Sequence, residues 1–399
     1  VKRFDVIVVG KGLVGSAAAK YLSASQKNIA LIGPDEPADY QNAIVFASHY
    51  DQARVQRLIG RDEAWTKLNI DSAGQYASMQ KNTGINFHDP VGCLYVSPSG
   101  KNNYLENANS LGEKFQTGFD VFHSGTEINN KYPDYHFPET AHGLFESSPA
   151  GLINPRLLIK AQLRLMEENN GTIIRDTVVN ISHIGTEYLV ETSEGSSYFA
   201  HKILLAAGSF VNFFNLLPEK LSLVIKSEVV LLAQLSEQDA EKLSTLPSLL
   251  YEIDNGGVEG IYLIKPVKYP DGEWWLKMGC NLPGDILFEN ITQVQQWFRQ
   301  GDSDRYMQVM KDALMTIMPG LKPAGFRTKR CIINRSVHGR PYIGETSQEG
   351  LFIASGCNGY SAMCADAIGF VAANMLMTGS FPPGYASTLF EPVYNSSVK

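Results

Sequence analysis

Three glycines at fixed spacing, Gly10-Lys11-Gly12-Leu13-Val14-Gly15, constrain this chain more than any other feature, because of what flanks them. Before them runs Phe4-Asp5-Val6-Ile7-Val8-Val9, a short β-branched stretch of the kind a strand buried in a parallel sheet requires. After them, Ser16-Ala17-Ala18-Ala19-Lys20-Tyr21-Leu22 reads as a helix of small residues, and Asn28-Ile29-Ala30-Leu31-Ile32 as a second strand. Together they form a βαβ unit of roughly thirty residues. Gly10 permits the tight turn, Gly12 lets the backbone approach a pyrophosphate, and Gly15 lets helix and strand pack closely. Leu13 and Val14 lie at the helix start, whose free N–H groups and positive dipole end attract phosphates. The expected ligand is an ADP-containing cofactor. The acid that usually closes the second strand and holds the ribose is missing. Gly33 stands there, followed by Pro34, Asp35 and Glu36. Either Asp35 or Glu36 reaches the ribose from the next turn, or backbone groups do so.

Composition excludes several classes. The 399 residues correspond to two or three structural units, at about 100–200 residues each. With 34 Lys+Arg against 41 Asp+Glu and no long basic stripe, a broad nucleic-acid surface is not expected. The most apolar stretch, Leu221 to Leu235, carries Lys226 and Glu228 and falls short of a membrane span. The apolar run near the start leads straight into the glycines, so it reads as a strand rather than a signal peptide. Five cysteines (Cys93, Cys280, Cys331, Cys357, Cys364) show neither metal-ligand spacing nor a disulfide framework. Reduced thiols in the cytoplasm and no metal site are the expectation.

Further along, Gly151-Leu152-Ile153-Asn154-Pro155 opens a helical stretch from Arg156 to Asn169. Extended segments follow at Gly171–Arg175 and Thr177-Val178-Val179. Tyr188–Thr192 and Tyr198–Ala200 flank the turn signal Glu194-Gly195. Lys202-Ile203-Leu204-Leu205-Ala206-Ala207-Gly208-Ser209 is a strand stopped by small residues, which let a chain pass close beside a ligand. Leu351–Gly356 is a strand leading into Cys357-Asn358-Gly359-Tyr360-Ser361-Ala362-Met363, with a helix from Ala365 to Met377 after it. That is a second strand, small-residue turn and helix N-terminus. The fold class is α/β.

The glycine fingerprint, the Gly-x-Ile-x-Pro helix start, the Ala-Ala-Gly strand end and the C-terminal glycine-rich segment together resemble the FAD-dependent D-amino-acid oxidase superfamily. The likeness extends over essentially the whole chain and is nearest to monomeric sarcosine oxidases and glycine oxidases. It implies a Rossmann-type FAD-binding domain, discontinuous over residues 1–85, 141–219 and 326–399. A substrate domain built on a mostly antiparallel sheet takes residues 86–140 and 220–325. Ser48-His49-Tyr50-Asp51-Gln52-Ala53-Arg54-Val55-Gln56-Arg57 resembles the segment that lines the flavin ring in sarcosine oxidases, with two arginines matching Arg54 and Arg57. Fixed cations there stabilise negative charge developing on the ring. The alternative is that both arginines lie on adjacent turns of a solvated helix. Cys331 falls where sarcosine oxidases attach flavin through a thioether, and neighbouring Lys329 and Arg330 favour thiolate; the alternative is an inert buried cysteine. The resemblance also sets Ser48, Val178, Val179, Ala207, Gly208, Gly356, Asn358, Gly359, Tyr360 and Met363 beside the cofactor.

On the substrate side, Gly260–Pro266 and Trp274–Gly279 read as a hairpin, offering Tyr262, Lys265, Trp274 and Lys277 as pocket residues, although alternation lets only half of them face a site. The candidate catalytic set is Arg54, Arg57, His49, Tyr50 and Lys265; Tyr262, Trp274 and Arg335 are candidate substrate contacts. The family holds a substrate carboxylate with a basic residue where this chain has Ile333 or Met363, both apolar. A carboxylate without a charged partner is costly to desolvate. Another cation (Arg335, Arg340 or Lys265) therefore takes that role, or the substrate is a larger or less acidic amine. The implied reaction is hydride transfer from an amine or amino acid to flavin, imine hydrolysis, and reoxidation by dioxygen to hydrogen peroxide. Alternatives are a flavin dehydrogenase of a C–O bond with another acceptor, a non-catalytic flavoprotein in a complex, and an NAD dehydrogenase.

Overall fold

The computed structural model describes residues 1–25, 28–99 and 103–397. The first βαβ unit forms as the sequence leads one to expect: strand Lys2–Val9, helix Leu13–Ser25 and strand Ile29–Ile32, with the two strands parallel. They sit inside a parallel sheet in which Thr172–Ile174, Ile29–Ile32, Lys2–Val9 and Ser197–Leu205 lie side by side. Leu351–Ser355 pairs parallel to the end of Ser197–Leu205. The strands Val178–Ile184 and Glu187–Thr192 leave the same sheet as an antiparallel meander. The helix Leu13–Ser25 is built of alanines because it is crowded: a Cβ on Gly369 would lie 2.5 Å from the Ala17 Cβ. Gly369 belongs to the helix Ala365–Thr378, so the two helices pack nearly backbone to backbone. The helix Pro155–Glu168 starts where its sequence indicates, with the Asn154 side chain accepting from Leu157 N–H at 3.1 Å and Pro155 in the first turn.

The second large sheet is mostly antiparallel. Its strands run in the order Leu287–Phe288, Leu223–Leu235, Trp274–Asn281, Glu259–Lys268, Ser248–Asp254, Cys93–Ser97, His142–Glu146 and Phe119–Phe122. The strand Gly325–Ser336 pairs along nearly the whole length of Leu223–Leu235. Period-two alternation divides this sheet into two faces. Leu231, Leu249, Leu263 and Met278 point into a core covered by the helices Ile291–Gln300 and Met307–Ile317, through Trp297, Phe298, Met310 and Leu314. The opposite face roofs a cavity. His142–Glu146 and Gly325–Ser336 pair in this sheet, although the sequence placed residues from 141 and from 326 with the cofactor half. Both are connecting strands whose partner depends on tertiary pairing rather than on their own pattern. A small third sheet joins Arg54–Gln56, Gly151–Ile153 and His88–Asp89 at the junction. Among the described residues no helix is long and apolar enough to cross a membrane, and no group of three or more His, Cys, Asp or Glu is gathered for a metal.

Candidate active site

A single cavity of about 940 Å³ runs from the first glycine turn to the underside of the antiparallel sheet. At one end lie Gly10, Gly12, Leu13 and Val14. Gly10 adopts φ +111°, and a Cβ there would lie 2.4 Å from the Ala206 carbonyl oxygen. A Cβ on Gly15 would lie 1.8 Å from the Gly10 carbonyl oxygen, so this position, outside the cavity wall, keeps the turn closed. Around Gly12 the space is open, with nothing nearer to an added Cβ than His49 Nδ1 at 4.0 Å. The helix N-terminus therefore faces a cradle of backbone groups. The missing ribose acid has a steric reason: a Cβ on Gly33 would lie 2.4 Å from Lys11 N. Asp35 does not take its place. It is exposed, pairs with Lys11 and with Arg175 (3.2 Å), and is absent from the cavity wall, while Glu36 pairs with Arg156 at 2.6 Å.

The segment 48–57 is not helical. It runs as turns into the strand Arg54–Gln56, and Ser48, His49, Tyr50, Arg54 and Arg57 all line the cavity. His49 is half-buried near Arg156, Lys11 and Arg54; desolvation first, then these cations, pushes its pKa down to about 3, so the imidazole is neutral. The Tyr50 hydroxyl donates to the Asp35 carbonyl at 3.2 Å. Asp51 is the centre of a buried cluster that the sequence did not reveal. Its carboxylate accepts from Lys277 Nζ at 2.7 Å, from Tyr269 OH at 2.8 Å and from Arg54, with Lys329 Nζ at 3.8 Å. Three cations outweigh burial and hold this carboxyl well below its usual range. Lys277 lines the cavity with 1% of its side chain exposed, and burial, reinforced by Arg54, pulls its pKa down to about 8. This cluster therefore holds more positive charge than its one carboxylate neutralises.

Arg57 stands apart. It is 6% exposed, its Nε has no hydrogen-bond partner, and among the described residues it forms no ion pair. Its guanidinium lies between the rings of Tyr95 and Tyr360, 5.8 Å from each centroid. An unpaired buried guanidinium is costly unless an anion arrives.

The C-terminal turn closes the cavity. Asn358, Gly359, Tyr360 and Met363 line it. Gly356 does not; at φ +79° it shapes the turn beneath. The Asn334 carboxamide oxygen accepts from Cys357 N–H at 2.8 Å, which leaves its Nδ2 buried, unpartnered and in the cavity wall. Val178, Ala207 and Gly208 line the cavity, whereas Val179, the next residue along the meander strand, does not. Cys331 also lines it. Its surroundings reverse the thiolate expectation: burial pushes the thiol up despite Arg54, Lys277 and Lys329.

Alternation decides the roof. Tyr262 and Lys277 face the cavity, while Lys265 and Trp274, each three residues away along the same strand, fall on the other side. Lys265 pairs with Asp89 at 2.6 Å and donates to the Ser244 carbonyl at 2.5 Å; Trp274 lies under Lys268. Arg340 is likewise engaged, with Asp62 at 2.8 Å. Arg335 lines the cavity at an exposed position. Of the cations considered for a carboxylate, Lys265 and Arg340 are thus withdrawn and Arg57 is added. One feature of the sequence points to Lys277: a lone charge inside an apolar strand.

A family model described as FAD dependent oxidoreductase (DAO) matches residues 5–375. The chain is 23% identical over 385 residues to the monomeric sarcosine oxidase of Bacillus sp. (strain B-0618), covering 94% of this chain and 93% of that one. It is 25% identical over 219 residues to N-methyl-L-tryptophan oxidase of Yersinia pestis (strain Pestoides F), covering 54% and 56%. Among solved structures, NikD, an unusual amino acid oxidase essential for nikkomycin biosynthesis, superposes with a TM-score of 0.78 at 16% identity, over 99% of this chain and 98% of that one. Glycine oxidase from Geobacillus kaustophilus gives 0.72 at 15%, over 98% of each. The residues present fit FAD: a glycine cradle at a helix N-terminus for the pyrophosphate, and buried unpartnered donors on Arg57 and Asn334 further along one continuous cavity. With the family model covering nearly the whole chain and the cavity built for its cofactor, the protein belongs to the FAD-dependent oxidoreductase (DAO) family.

Proposed function

We propose that the chain oxidises the C–N bond of an amine or amino acid, yielding an imine that water hydrolyses to a carbonyl compound and a free amine, with dioxygen as the final acceptor and hydrogen peroxide as its product. FAD, when bound, supplies the two-electron acceptor. The observation that carries this reading is Arg57, an unpaired buried cation in the wall of the cavity that also holds the dinucleotide cradle. It holds a substrate carboxylate, the role for which Ile333 and Met363 offer no charge. Tyr262, Tyr95 and Tyr360 exclude water from the reacting amine and give it an aromatic wall. Arg54 and Lys277 place positive charge beside the site of electron arrival. His49, neutral through burial, assists by hydrogen bonding rather than as a cationic acid. Backbone groups of the first turn, rather than Asp35, contact the ribose.

Cys331 is the proposed point of a thioether to the flavin, and it is one of three cysteines in the cavity wall. Acid precipitation checks this directly: colour stays with the pellet, and Cys331→Ser releases it to the supernatant. Colour in the supernatant of the unaltered protein refutes the bond. The five unlinked cysteines suit a reducing compartment such as the cytoplasm.

The test of function is a panel of N-alkyl amino acids, primary amino acids and 2-hydroxy acids, read by loss of the visible flavin band and by peroxide. Bleaching and peroxide with amines support the reading. Bleaching only with hydroxy acids, with electrons passed to a dye, overturns it.

A further inference from the structure

The roof of the cavity carries two rows of side chains across the antiparallel sheet, and they differ in chemistry. In the first row, Lys329 pairs in register with Val230, Val230 with Gly279, Gly279 with Tyr262, Tyr262 with Leu250 and Leu250 with Tyr95. A Cβ on Gly279 would lie 2.3 Å from the Tyr262 ring, so the ring lies flat over that glycine and forms an apolar ceiling. Two residues further along come Cys331, Glu228 and Asn281 on the same face, and next to them, at register shifts in their strands, Glu259 opposite Asn281 and Glu252. Cys331 and Glu228 are in register, and all five line the cavity. The second row is thus acidic and amide-bearing where the first is aromatic.

Glu228 is the unusual member. Only 14% of its side chain is exposed, and one oxygen accepts from Lys226 Nζ at 3.1 Å. Its other oxygen has no hydrogen-bond partner among the described residues. Lys226 is shared with Asp285, so two carboxylates face one ammonium and the trio retains a net negative charge. Arg335 faces the same carboxylate from its exposed position, and Cys331, Cys280 and Tyr262 also lie near it. None of these three carries positive charge. Burial disfavours the ionised carboxylate and raises its pKa, so an incoming cation restores a favourable partner.

The nitrogen that is oxidised cannot be that cation. It must shed its proton to make its lone pair available, and an adjacent carboxylate would favour the protonated form. Glu228 therefore suits a nitrogen that stays protonated through the reaction. In the same cavity Arg57, buried and unpaired, awaits an anion. From this pairing we propose that Glu228, with Asn281 beside it, binds a second basic nitrogen of the substrate, so that the substrate class is an amino acid or amine bearing a basic group beyond the nitrogen oxidised. This rests on the amine-oxidation reading above and specifies its substrate.

The test uses the flavin-loaded enzyme and two matched probes, Nα-methyl-lysine and Nα-methylnorleucine, which differ by a terminal ammonium. Dissociation constants come from perturbation of the visible flavin spectrum under anaerobic conditions, and kcat/KM from peroxide release. The expected result is at least a tenfold preference for the lysine compound in both measurements. Glu228→Gln collapses that ratio towards one, and Glu228→Asp restores part of it. A ratio near one in the unaltered enzyme overturns the proposal, whether or not the variants fold. A ratio that Glu228→Gln leaves intact does the same. If neither probe bleaches the flavin but the binding ratio holds, the cation site stands and the amine-oxidation reading falls.

Discussion

At the scale of single residues, the site is defined by which charges have partners. Arg57 has none among the described residues, and its removal relieves a buried unpaired cation rather than breaking a structural pair. Arg57→Ala should therefore raise KM for carboxylate-bearing amines by about 10- to 100-fold, as expected for a charge-assisted contact of about 1.5–3 kcal/mol. The unfolding midpoint should remain within a few degrees, and calorimetry beside steady-state kinetics checks both. Lys277 gives a pH prediction. Its ammonium is held down to about 8, so it is charged below that pH and loses its charge as pH rises through it. In the proposed reaction the step that draws on this charge, the transfer of electrons to dioxygen, should slow as pH passes about 8. Lys277→Arg keeps the charge at all working pH values and should abolish that fall; stopped-flow reoxidation across pH 6.5–9.5 (a window of about 3 units around the ordinary working range) reads it out. A fall of the same midpoint in Lys277→Arg would assign it to another group. Asp51 and Glu228 were silent in the sequence. A carboxylate inside a loop or an apolar strand has no local signature of burial; Arg54 and Lys226 are near neighbours in the chain, but the other members of each cluster, Lys277 and Lys329 around Asp51 and Asp285 on Lys226, come from segments more than fifty residues away.

At the scale of elements, local pattern carried far. The first βαβ unit, the Asn154-capped helix and the hairpin around Asp271-Gly272 all form where their residues indicate. Each is decided by neighbours in the chain: glycine at a turn that demands positive φ, an asparagine cap, alternation into a type of turn that Asp-Gly favours. Where the pattern stopped short was in assigning faces. Lys265 and Trp274 were candidates beside Tyr262 and Lys277, and only the register of the sheet separated them. The close approach of helices Leu13–Ser25 and Ala365–Thr378 supports a further prediction. Gly369→Leu forces a branched side chain into the space held by Ala17 and Ala18. The overpacking should cost about 1–3 kcal/mol, visible as a lower urea midpoint, and should reduce flavin content by displacing the first helix. An unchanged midpoint would show that the helix pair yields more easily than its spacing implies.

For the whole molecule, the cavity matters because no one segment makes it. Residues 9–14, 45–61, 206–216, 329–335 and 354–363 contribute walls, and both large sheets meet there. A ligand that ties these segments together should stabilise the entire fold by mass action. Free FAD at 100 times its dissociation constant contributes about 2.7 kcal/mol. Deflavinated Cys331→Ser protein should therefore melt at a lower temperature than its flavin-loaded form, and titrated FAD should raise the midpoint with ligand concentration; a midpoint indifferent to FAD would separate the cradle from the stability of the chain. A covalent flavin would make the same point through Cys331→Ser, which alone could be stripped reversibly.

The amino-acid sequence by itself determined that this protein would fold around a dinucleotide, because glycine spacing, strand composition and helix start are consequences of backbone sterics within about thirty residues. It also carried the family likeness that joins the remote segments into one cofactor site. Only the tertiary structure decided which charges meet: that Asp51 gathers Arg54, Lys277 and Lys329, that Lys265 and Arg340 are held elsewhere, and that Arg57 and Glu228 face the same cavity. The reason is physical. Turn and helix signals act over a few bonds, whereas the partner of a buried charge is set by sheet register and by the packing of strands far apart in the chain.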